Sequence, residues 1–182
     1  MLKRFICLAT ATLILQGCGV AMPRYDAYFD NVQTLKNQAP LAKLNSPTVT
    51  ADKGQDSISV RANPISSPEG SISKHVQKAL EDELRLAGLL DPAASRHLDV
   101  QLRQSKLDAP VGTGSGAISA DFNLREGERS LYSSNKTVTS TWDSPFVGAI
   151  AIPAAANAFN PLVRKLLAEL YQDPAFIAAM KQ

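Results

Sequence analysis

The first twenty residues, MLKRFICLATATLILQGCGV, constrain this chain more than any other stretch. Lys3 and Arg4 give a positive start, Phe5 to Leu15 is an apolar run broken only by Thr10 and Thr12, and small and polar residues follow. That layout is a secretory signal peptide. The run is too short for a transmembrane helix, which needs about 20 apolar residues. The fold is therefore expected to form outside the cytosol, from what remains after residues 1–17 are removed.

The remainder is ordinary material for one compact domain: the 182 residues are 45% hydrophobic and 20% charged. Such a composition excludes a polytopic membrane protein, a collagen-like chain and a low-complexity tail. Two cysteines exclude a disulfide-rich scaffold. Lys3 and Arg4 leave with the signal, so 17 of the 19 Lys and Arg stay to balance 17 Asp and Glu. The slight positive excess belongs to the export signal, and no nucleic-acid partner is expected.

Leu15-Gln16-Gly17-Cys18 resembles the bacterial lipoprotein lipobox: an aliphatic residue, a tolerant position, a small residue and then Cys. The resemblance implies cleavage before Cys18, a diacylglycerol on its sulfur and an acyl group on the new amine. Several chains anchor stably where one anchors marginally, at about 0.8 kcal/mol per buried methylene. Gly19 follows where Asp would favour inner-membrane retention, which implies the outer membrane. Cys7 leaves with the signal, so no internal disulfide remains. The alternative is ordinary cleavage after a small residue, with Cys18 a free thiol.

Tyr25, Tyr28, Phe29, Val32 and Leu35 share one face of a helix expected over 23–37, with Pro23 in its first turn and Pro40 beyond its end. This face either packs on the domain or binds a partner, and Tyr25, Tyr28, Phe29 and Val32 are the candidate partner-binding residues. Residues 41–55, rich in Pro, Ser, Thr and Asn, read as a tether. The expected organisation is a signal peptide at 1–17, an anchor, helix and tether at 18–56, and a domain at 57–182.

Within that domain, Ser57 to Arg61 alternates as a short strand, and Ile72 to Ala87 is an amphipathic helix stopped by Gly88. Strands are expected at 98–103, 118–125 and 131–142. Residues 144–159 read as a buried connection into a last helix starting near Pro153, or alternatively as an exposed patch for a partner or membrane. Asn160-Pro161 and Asp173-Pro174 look like helix caps. The expected fold is α+β in the order β-α-β-β-β-α, a mostly antiparallel sheet with two helices on one face.

Catalytic chemistry is not visible in the sequence. Val111 to Gly116 contains three glycines but lacks the Lys and the following helix of a phosphate cradle, so it reads as a loop. His75 and His97 fit no ligand pattern and read as surface residues, and no GxSxG occurs. No catalytic, cofactor-binding or metal residue is assigned and no enzyme is expected. The lipobox and the element order together resemble the lipopolysaccharide-assembly and ABC-transport auxiliary lipoproteins. That resemblance implies a non-enzymatic binding or assembly factor, lipid-anchored, facing the periplasm and contacting an envelope protein. The alternatives are a lipid-anchored envelope enzyme or small-ligand carrier, and a purely structural lipoprotein.

Overall fold

The computed structural model describes residues 19–181. The signal peptide and Cys18 lie outside the described residues. Four strands form the main sheet in the order β2-β5-β6-β7: β2 (Thr48–Ala51), β5 (Arg96–Asp108), β6 (Gly112–Glu126) and β7 (Arg129–Ser144). The β5-β6-β7 meander is antiparallel, and β2 adds to β5 in parallel. A smaller sheet pairs β1 (Val20–Ala21), β4 (Asn63–Ser66) and β3 (Ile58–Val60) in that order. The helices are α1 (Phe29–Asn37), α2 (Ile72–Leu86), α3 (Gly148–Tyr171) and α4 (Pro174–Lys181). The mixed α+β architecture is the one expected from the sequence.

Alternation decides which strand residues meet the helices. Leu98, Val100 and Leu102 of β5 point inward, opposite Leu124, Phe122 and Ala120 of β6. A bulge between Leu102 and Gln104 then shifts the phase by one residue, so Ser105 and Leu107 become the inward positions. The expected strand stopped at 103 because the alternation breaks there; the real one continues to Asp108.

The glycine-rich stretch is not a loop. Gly114 and Gly116 are inward positions of β6, where a Cβ on Gly114 would lie 2.4 Å from the Trp142 indole. A Cβ on Gly116 would lie 2.6 Å from Leu162 Cδ1 and 2.9 Å from Leu107 Cδ2. The glycines let a ring and a helix side chain approach the sheet backbone.

Residues 41–55 also belong to the body. Leu44 and Val49 are buried, and β2 hydrogen-bonds along β5. Polar composition misled the tether reading, because β2 is an edge strand with one wet face. Helix α2 matches its expectation: Ser71 Oγ accepts from the Lys74 N–H, and Gly88 takes a left-handed φ of 76°. The Leu89 N–H then reaches the Leu84 carbonyl and the Gly88 N–H that of Arg85, completing a Schellman ending. On its outer face Lys78 and Arg85 both pair with Asp82.

Helix α3 starts at Gly148 and runs through both Pro153 and Pro161. Asn160-Pro161 is therefore not a cap. Ala151, Ala155, Ala156, Phe159 and the leucines to Leu170 supply a continuous buried stripe, which holds the helix together across two missing N–H donors. Asp173 does cap α4, accepting from the Ala175 N–H at 2.8 Å. Among the described residues, no helix is long and apolar enough to cross a membrane.

Candidate functional site

Three buried polar side chains of the helical layer face the segment that follows Cys18. Glu83, wholly buried on α2, accepts from the Tyr25 hydroxyl at 2.6 Å and from the Tyr28 N–H at 2.9 Å. The Asn31 amide donates to both of its oxygens. Eight residues earlier on α2, His75 places Nε2 2.7 Å from Asn160 Oδ1 and Nδ1 2.7 Å from Glu69. The Asn160 amide in turn donates to the carbonyls of Pro23 and Arg24. Those bonds use backbone groups that a helix over 23–28 would need, so α1 begins only at Phe29.

Electrostatics follow from this burial. Desolvation pushes the Glu83 carboxyl above its usual range, against the pull of the Tyr25, Tyr28 and Asn31 donors. Burial and the adjacent Glu83 charge push the Tyr25 phenol far up. Glu69 goes the other way: burial raises it, but the bonds from His75 and Ser67 outweigh that and hold it low. These groups are committed to holding residues 23–31 in place, with β1 and the buried Met22 continuing the attachment back to Gly19.

The surface reading changes for one histidine of the two. His75 is buried, contrary to the surface position expected for it, because residues 72, 75, 76, 79 and 83 share the buried face of α2. His97 lies within β5 and meets Thr48 Oγ1 at 2.9 Å and Asp99 at 3.1 Å. Glu83 and Asn31 were not singled out by the sequence, and Asn160 only as a helix cap. The available signal was that Glu83 falls four residues after Ala79 and three after Leu80, inside the apolar stripe.

The four candidate partner-binding residues divide. Tyr25 and Val32 are core, whereas Tyr28 is partly exposed and Phe29 is 69% exposed. Arg164 of α3 lies over both tyrosine rings, 5.9 Å from the Tyr25 centroid and 5.3 Å from that of Tyr28. Tyr28, Pro161, Arg164, Lys165 and Ala168 line a shallow hollow.

The second accessible surface is the sheet. Its outer face carries a polar lattice: Arg103 bridges Asp52 and Asp121, Asp121 accepts from Asn135, and Asn135 reaches Ser119. Among the described residues, strand β7, 16 residues long, pairs with β6 alone and forms one edge of the sheet, β2 forming the other. Such an edge presents unpaired N–H and C=O groups to any chain that can add as a strand.

No protein-family model matches this chain, and no curated protein matches it in sequence. Solved structures do resemble it. Protein XCC0632 from Xanthomonas campestris, of family DUF330, matches with a TM-score of 0.61 at 15% identity, over 87% of this chain and 95% of that one. Protein CT253 from Chlamydia trachomatis matches with a TM-score of 0.50 at 8% identity, over 76% and 99%. A minor lipoprotein from Acinetobacter baumannii overlaps more loosely, with a TM-score of 0.38 at 9% identity, over 71% and 95%. At these identities the first two likenesses concern the fold alone, and the third carries no argument.

Proposed function

We propose that this protein is a lipoprotein of the outer membrane, attached through Cys18 and acting in the periplasm as a non-enzymatic binding or assembly factor. The lipobox residues Leu15 to Cys18 support the anchor. The binding role is carried by one observation: a 16-residue strand, β7, stands at the sheet edge beside a wide, wet polar face. Strand addition there would supply main-chain hydrogen bonds, and the alternate side chains of β7 would set specificity. The resemblance in element order to the lipopolysaccharide-assembly and ABC-transport auxiliary lipoproteins supports an envelope protein as the partner.

Photo-crosslinking groups at Thr137, Thr139 and Thr141, exposed positions of β7, test this in intact cells. The expected result is one discrete protein adduct from the β7 positions and none from Lys78 on the outer face of α2. Absence of any β7 adduct would contradict the edge as the docking surface.

A further inference from the structure

The buried stripe of α3 ends abruptly at its N-terminus. Phe146 is 80% exposed, Val147 51% and Ile150 59%, and Val111 in the nearby β5–β6 turn is 63% exposed. These residues are not loosely displayed. Arg61 donates from Nε to the Ala109 carbonyl at 2.6 Å, from Nη2 to Pro145 at 2.9 Å and from Nη1 to Phe146 at 2.9 Å. One guanidinium thus fastens the β3–β4 turn to the two chain segments that present the apolar side chains. Arg61 and Ala62 form that turn with φ of 49° and 62°, a left-handed geometry that usually selects Asn or Gly. Backbone strain of this kind persists where surrounding contacts impose it.

The same end of the molecule receives the chain from Cys18. Gly19 lies against Pro64, next to the Arg61–Ala62 turn, and β1 runs parallel to β4 away from that turn. By Pro23 the chain has reached Asn160, about 18 Å along α3 from Gly148 at about 1.5 Å per residue. Cys18 precedes Gly19 by one residue, about 3.8 Å between Cα atoms. Gly19 therefore sits beside the turn that Arg61 fastens to the apolar end.

We propose that the end carrying Phe146, Val147 and Ile150 rests on the bilayer that holds Cys18, its side chains seated among headgroups and upper acyl chains. An interfacial element buries its apolar residues about 5–10 Å deep. Exposed apolar side chains clustered beside a lipid attachment point meet that description without help from charge, since Asp108 and Asp143 flank the segments concerned. The contact fixes the orientation of the body: Tyr28, stacked on Arg164, stands about 24 Å along α3 from Gly148 and faces away from the lipid.

The inference rests on lipid attachment at Cys18, and the experiment separates the two. Full-length chain carrying Phe146→Cys is expressed with its own signal, labelled at position 146 with an environment-sensitive NBD dye, and reconstituted in phosphatidylcholine vesicles containing doxyl-labelled lipid. A second preparation carries the dye at Phe29→Cys, and mass spectrometry reports acylation of Cys18. The expected result is loss of most NBD emission at 146 with little loss at 29. Acylated protein with unquenched dye at 146, or with equal quenching at both positions, overturns this proposal alone. An unmodified Cys18 thiol overturns the lipoprotein reading and this proposal together.

Discussion

Tyr25 donates its hydroxyl to Glu83 at 2.6 Å across 58 residues of sequence, inside the core. With Glu83 gone, the Tyr25 hydroxyl, the Tyr28 N–H and the Asn31 amide lose a shared acceptor. Glu83→Ala is therefore expected to cost about 2–4 kcal/mol, because buried donors are left unpaired. Proteolysis should then cut first between residues 23 and 31. Chemical denaturation and limited proteolysis read both, and an unchanged midpoint would contradict the clamp.

Asp173 accepts from the Tyr132 hydroxyl at 2.8 Å and from Lys136 at 2.6 Å, joining α4 to β7. Burial raises its carboxyl, but these bonds outweigh that and hold it at about 2, against an ordinary 3.8. A depressed carboxylate stabilises the fold above its unfolded value and loses that contribution as pH falls through its folded value. The expected contribution is about 2 kcal/mol, present above about pH 4 and lost towards pH 2. Asp173→Asn should flatten the stability curve across that window.

Gly114→Ala should displace Trp142, the chain's single tryptophan, since the new Cβ would sit 2.4 Å from its ring. Overpacking of this kind costs about 1–3 kcal/mol. The emission of Trp142 should shift red as the ring moves towards water. Unshifted emission with unchanged stability would mean that the strand tolerates a Cβ there.

The aromatic segment yields opposite expectations at neighbouring positions. Tyr25→Ser removes a buried ring and its bond to Glu83 and should lower stability by about 3 kcal/mol. Phe29→Ser should leave stability within about 0.5 kcal/mol, because its ring is largely exposed. If the Tyr28–Phe29 surface binds a partner, the second change should weaken partner recovery while the fold stays intact. Thermal melts and pull-downs on the same preparations separate the two effects.

How much of this was legible in the sequence depended on whether a residue's partner was local. Helix α2 could be read to its last residues because Gly88 and the apolar stripe are both local signals. The β5-β6-β7 order could be read from alternation, up to the bulge at Leu102/Gln104 where alternation itself fails. Glu83 and His75 fall on the apolar stripe of α2, but the partners that let them be buried, Tyr25 and Asn160, come from distant parts of the chain. Asn160-Pro161 misled for the same reason: the amide that resembles a cap is occupied by Pro23 and Arg24. Thr48 to Ala51 read as linker because a polar edge strand shows only two apolar residues, Val49 and Ala51, to its neighbours.

Intact-mass analysis of the protein purified from membranes tests lipid attachment at Cys18 most directly. Anchoring through Cys18 requires a chain whose first residue is Cys18, heavier than the bare polypeptide by one diacylglyceryl and one acyl group. A product that retains Met1, or one that starts near Cys18 with an unmodified sulfhydryl, would contradict it.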